Sequence, residues 1–98
     1  MYEHLSECRV SLPDSRYIIE NVSRRVAELC VSIVDNGMEK ILVFVDGEVI
    51  VRALDKGILM QVVATDVLSY YGIRTALEGI ILELAASQEF TWRPGDLP

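Results

Sequence analysis

Between residues 30 and 64, four runs rich in Val, Ile and Leu are separated by three dipeptides that end in glycine: Asn36-Gly37, Asp46-Gly47 and Lys56-Gly57. Asn-Gly and Asp-Gly accommodate the positive φ angles of tight hairpin turns, and β-branched side chains pack well on a pleated surface. The pattern predicts four consecutive antiparallel strands at about 30–35, 39–45, 48–54 and 58–64. A meander of this kind must bury one face, so the flanking segments have to supply a cover.

Both flanks carry helical periodicity. Cys8-Arg9-Val10-Ser11-Leu12 alternates apolar and polar residues, which predicts a short strand over 8–12 that Pro13 ends. Asp14 stands where a helix N-cap belongs. Ile18, Val22, Val26 and Leu29 follow on one helical stripe, while Arg16, Glu20, Arg24 and Glu28 alternate in sign along another. After the strands, Thr65-Asp66 offers a second N-cap, and Tyr70, Ile73, Leu77, Ile80 and Leu84 predict a helix over about 67–86. Gly72, Ala76 and Gly79 share a neighbouring stripe. A helical glycine costs up to ~1 kcal/mol relative to alanine, which predicts a compensating close approach to the sheet or the first helix. From Gln88 the chain begins extended and ends in helix and strand breakers.

The expected order is β-α-β-β-β-β-α, a two-layer α+β domain with a helix pair on an antiparallel sheet. That order resembles the TATA-binding-protein-like topology. The likeness is one of fold and implies no DNA binding. A single domain over 1–98 is expected, with 1–6 and 93–98 as flexible ends.

Composition narrows the class. Hydrophobic residues make up 51% of the 98 residues and charged ones 24%, which excludes disorder as a description of the whole. The longest clean apolar run, Ile41 to Val45, is far too short to span a membrane. The start Met1-Tyr2-Glu3-His4 lacks the basic segment and apolar core of a signal peptide, so a cytoplasmic protein with reduced Cys8 and Cys30 is expected. Nine Lys and Arg against fifteen Asp and Glu give a net charge of −6, which repels phosphate backbones and argues against a nucleic-acid partner.

The strand pattern also assigns faces. A two-residue turn at Asp46-Gly47 sets Val45 opposite Glu48, Phe44 opposite Val49 and Val43 opposite Ile50. Leu42, Phe44, Val49, Val51 and Ala53 then form a wholly apolar face for the helices to cover. The other face carries Ile41, Val43, Val45 and Ile50, with Glu48 and Arg52 among them. A similar turn at Lys56-Gly57 adds Leu54 and Val63 and sets Gln61 opposite Arg52. An aliphatic patch of this size is unusual on a monomer, although strand propensity alone also places aliphatics there. Its possible covers are a second copy of the chain, a partner domain, the C-terminal segment with Phe90 and Trp92, or an apolar ligand. A two-fold homodimer closes a self-complementary patch most simply. The candidate ligand or interface residues are therefore Ile41, Val43, Ile50, Arg52 and Trp92. Arg52 is the expected charge partner of a ligand carboxylate or phenolate, or else of Glu48 or a glutamate in a second subunit.

Catalytic constellations are not visible. His4 is the chain's one histidine, so a Ser-His-Asp or Cys-His arrangement would have to recruit it from the chain end. His4 and Cys8 lack a second pair to complete a tetrahedral metal site. Cys30 reads as a core residue. Asp35, Asp46, Asp55 and Asp66 fall at strand ends and turns, where aspartate bonds the local backbone. No glycine-rich phosphate loop occurs. No catalytic residue, metal or cofactor is assigned, and a non-catalytic binding or accessory module is expected. The alternative is a small enzyme of unknown reaction with an apolar pocket.

At Asp14-Ser15-Arg16-Tyr17, at Phe90-Thr91-Trp92-Arg93-Pro94, and at the Asp66 that opens the second helix, the chain resembles the bacterial domain-of-unknown-function family 2218. Members are small bacterial proteins without an assigned activity, and related domains occur joined to siderophore-interacting flavoproteins. The resemblance implies an accessory role in siderophore or iron handling, with a flavin-dependent siderophore reductase or a small planar ligand as partner. The family's first helix often carries histidines, whereas Ser23-Arg24-Arg25-Val26-Ala27 has none, so no metal or haem-like role carries over. Ala85-Ala86-Ser87-Gln88 likewise replaces the aromatic and basic residues common after the second helix.

Overall fold

Alternation of side chains along each strand divides this molecule into a covered and an open face. In the computed structural model, which describes residues 4–37, 39–85 and 90–94, β1 (His4–Ser11) leads to α1 (Ser15–Val26) and a 3₁₀ turn (Ala27–Leu29). The meander follows as β2 (Ser32–Asp35), β3 (Glu39–Phe44), β4 (Gly47–Leu54) and β5 (Gly57–Ala64). Then come α2 (Val67–Leu84) and the short β6 (Arg93–Pro94). All pairings are antiparallel, in the order β2-β3-β4-β5-β1-β6. This is the expected α+β order with one edge strand added. The chain ends 1–3 and 95–98, and the expected end of the second helix at 86, lie outside the described residues.

Both helices lie on one face. Ile18, Ile19, Val22 and Val26 of α1 and Ile73, Leu77 and Ile81 of α2 meet Leu42, Val49, Val51, Ile58, Met60 and Val62 of the sheet. At roughly 25 cal/mol per Å² of apolar area removed from water, this layer supplies the main driving force for folding. Arg25 and Glu83 pair across the outer surface of the two helices. Leu29 departs from the expected α1 stripe: the helix tightens into the 3₁₀ turn after Val26, which leaves Leu29 63% exposed while Ile19 is buried.

The two expected N-caps behave differently. Asp66 caps α2, its Oδ1 accepting the Ser69 N–H at 2.8 Å. Asp14 makes no side-chain capping bond and adopts a left-handed conformation (φ 53°, ψ 51°) in place of the extended backbone usual at an N-cap. Protonation of Asp66 is opposed mainly by the Ser69 N–H, then by the Ser69 hydroxyl, so its carboxyl sits below the ordinary carboxylate value.

The hairpin register corrects the expected one by two residues. Phe44 pairs with Gly47, Val43 with Glu48 and Ile41 with Ile50, so Val45-Asp46 forms the turn. Leu54 pairs with Gly57 and Arg52 with Leu59, so Asp55-Lys56 forms the next one, and Gln61 lies opposite Ile50. Neither turn has a positive φ. Among the described residues only Asp14 and Gly37 do. Gly47 and Gly57 instead begin the following strands, where close packing excludes a side chain. A Cβ on Gly47 would stand 2.5 Å from the Val63 carbonyl oxygen and 2.9 Å from Ile73 Cδ1, and one on Gly57 would collide with the Val10 carbonyl. A shift of two keeps every side chain on its face, so the face assignments stand although the pairs differ.

The glycine stripe of α2 is also corrected. A Cβ at Gly72 or Gly79 would meet nothing within 4 Å, so neither sheet nor α1 approaches there. At the N-terminal end, His4, Leu5 and Ser6 are paired with β5 over part of the segment expected to be flexible, and Arg93 and Pro94 pair with Glu7 and Ser6.

Candidate functional site

The strand ladder arranges the open face in rows. Val34, Ile41 and Ile50 lie side by side across β2, β3 and β4, and the row continues through Gln61 and Glu7 to Arg93. On one side runs the row of Val43, Glu48, Val63 and Leu5, and on the other that of Glu39, Arg52, Leu59 and Arg9. Ile41, Val43 and Ile50, the three expected contact residues here, therefore come together and are each half-buried by their neighbours. Val45 does not join them, because it sits in the turn.

Arg52 is held within this face. Its Nε and Nη2 donate to Glu39 Oε2 at 3.0 and 2.7 Å, across the β3–β4 pair. Within the chain, the expected partner Glu48 gives way to Glu39, the residue that the true register puts directly opposite. Gln61 Nε2 donates to Glu7 Oε2 at 3.3 Å. Among the described residues three glutamates (Glu7, Glu39 and Glu48) and three arginines (Arg9, Arg52 and Arg93) share the face, so their charges balance in a chain of −6.

Trp92 lies elsewhere, which corrects its grouping with these residues. It packs with Phe90 against the core on the helix side, and its Nε1–H donates to Glu78 Oε2 of α2 at 3.3 Å. The C-terminal segment, in its described part, thus covers the seam between α2 and β1 and leaves the open face bare.

That seam gathers Tyr70, Tyr71 and Trp92, aromatic residues that the sequence offers for stacking on a planar ligand, around Arg74, which the sequence did not single out. The Arg74 guanidinium lies 5.3, 5.2 and 4.8 Å from the ring centres of Tyr70, Tyr71 and Trp92, within cation–π range of each. Its Nη1 donates to the Tyr70 hydroxyl at 3.3 Å, and the His4 ring lies 5.7 Å from that of Tyr70. Burial pushes the nearby Cys8 thiol up; a hydrogen bond from the Thr91 backbone opposes this, and the Glu78 and Arg74 charges act in opposite directions. The Tyr70/Arg74 spacing of one helical turn was a readable signal, but Trp92 joins them only through the tertiary fold.

At the other end of the sheet, a cleft of about 780 Å³ is lined by Asp14, Ser15, Arg16, Tyr17, Leu54 and Asp55. A second of about 360 Å³ adjoins it through Arg16 and Ala53. Beside it the buried Lys40 ammonium is neutralised by Glu20 at 2.7 Å and Asp35 at 3.7 Å. Among the described residues, no three His, Cys, Asp or Glu side chains meet as a metal site, and no helix is long and apolar enough to cross a membrane.

No family model and no curated protein matches the chain, so neither comparison supports the resemblance to family 2218. A solved structure does match: PA4090 from Pseudomonas aeruginosa, determined by NMR, at a TM-score of 0.78 and 15% identity over 94% of this chain and 97% of that one. At that identity the likeness is one of fold.

Proposed function

We propose that this protein is a non-catalytic binding module that acts as a homodimer through the open face of its sheet. The observation that carries this reading is the match between shape and charge on that face. Val34, Ile41 and Ile50 form a continuous apolar row, flanked by Val43, Val63, Leu5 and Leu59, and three acidic and three basic side chains balance around it. Two copies of a −6 chain repel one another. A face whose charges balance among the described residues is where they can meet at least electrostatic cost, and a two-fold axis closes such a contact. Of the ionisable groups on the face, Arg52 and Glu39 bond each other and Glu7 accepts from the Gln61 amide, pairings that suit a rim better than a reaction. The acidity of the chain also supports the absence of a nucleic-acid partner.

Sedimentation or light scattering at micromolar concentration tests the reading. The expected mass is twice that of the chain, falling to the single-chain value in Ile50→Asp while circular dichroism is unchanged. A wild-type protein that stays monomeric at high concentration overturns it. The family resemblance supplies a second occupant for the same face, a flavin-dependent siderophore reductase. Co-sedimentation with such an enzyme, lost in Ile50→Asp, is the corresponding check.

A further inference from the structure

The seam between β1 and α2 contains two polar atoms that the fold leaves unsatisfied. Ser6, 3% exposed on the covered face of β1, has an Oγ without a hydrogen-bond partner, and Arg74 Nε is likewise buried and unpartnered. Buried polar groups are almost always paired in folded proteins, and leaving one dry costs ~1–3 kcal/mol. The two atoms belong to the same locality. His4 touches Tyr70 and Cys8 feels the charges of Arg74 and Glu78, so strand alternation sets Ser6, between His4 and Cys8, against the turn of α2 that carries Arg74. The guanidinium itself is already oriented, by its bond to the Tyr70 hydroxyl and by the three surrounding rings.

Two unpaired donors on the same seam, one of them cationic, are met together by an acceptor with two oxygens and negative charge. A carboxylate meets both requirements with a single charge. A phosphate dianion would bring twice the charge towards Glu78, which Trp92 holds beside the same guanidinium. The walls of Tyr70, Tyr71 and Trp92 favour a flat molecule. The segment from Thr91 to Pro94 closes the seam, with Pro94 opposite Ser6 on the far edge of β1.

We propose that the β1–α2 seam is a binding site for a planar monocarboxylate, held by Arg74 Nε and Ser6 Oγ and flanked by Trp92. Trp92 is the only tryptophan of the chain, so its emission reports on this place alone. Titration of the whole protein with benzoate at constant ionic strength should give a saturable change in emission, acetate a weaker one and inorganic phosphate none. Ser6→Ala should weaken benzoate about tenfold, the equivalent of one hydrogen bond to a charged group. Arg74→Lys, which retains the charge and removes the Nε donor, should weaken it further. Ser6→Ala substitutes a small buried side chain and keeps the test decisive should Arg74→Lys fail to fold. The absence of any saturable change in the wild type overturns the proposal. An equal response to phosphate, or undiminished benzoate binding in Ser6→Ala, overturns it as well.

Discussion

Ile41 and Leu42 are neighbours in β3, yet they sit in different worlds. Leu42 is wholly enclosed beneath the helices, whereas Ile41 stands half-buried in the apolar row of the open face. The same contrast repeats along β4, and along the second half of β5. One face of the sheet is defined by what the chain packs onto it, the other by what the chain leaves available. A substitution on the first should be felt as lost stability, and on the second as lost association.

The largest effect is expected at Leu42. Leu42→Ala should lower the free energy of unfolding by ~2–5 kcal/mol in urea titrations, the cost of a buried cavity. Ile41→Ala, measured under dilution where the protein is monomeric, should cost less than half as much. Equal losses at the two sites would erase the distinction between the faces.

Glycines sharpen it further. Gly57→Ala forces a methyl group against the backbone of β1 and should destabilise by ~1–3 kcal/mol or more. Gly72→Ala meets open space on α2 and should stabilise by ~1 kcal/mol through helix propensity alone. Thermal melts give both signs directly, and a destabilised, dissociated Gly72→Ala would show that a second molecule packs on α2 instead of the sheet.

Smaller still, Arg52→Ala removes an exposed ion pair with Glu39 and should change stability by ~0–1 kcal/mol. The last expectation concerns pH. Asp66 has a lowered folded carboxyl value, so the unfolded chain takes up the proton first, and its contribution to stability is present above the ordinary value of 3.8 and lost as the pH falls through the lower folded value. Acid melts of Asp66→Asn should lack that component, and identical acid profiles for the two proteins would remove the assigned cap.

Local pattern explains why so much of the architecture was readable. The order of elements, their approximate limits and the division of the sheet into two faces all follow from periodicities of 2 and 3.6, which every residue in a run reinforces. The face assignments survived even the wrong turn positions, because a slip of two residues preserves alternation. Contacts between distant segments obey no such rule. That Asp-Gly and Lys-Gly mark strand starts and not turns was decided by the approach of Val63 and Val10, carbonyls far along the chain from the glycines they exclude. Arg52 chose Glu39 because the register placed it opposite, and Asp14 took a left-handed backbone without a side-chain cap. Trp92 left the open face for Arg74 because the C-terminal segment paired with β1 at the opposite edge of the sheet from β2. The sequence alone determined which residues share a face, since side-chain alternation is a property of the strand itself. Which faces are covered by what, and which side chains meet in the β1–α2 seam, only the tertiary structure decided, because those contacts depend on how separate elements come to rest against one another.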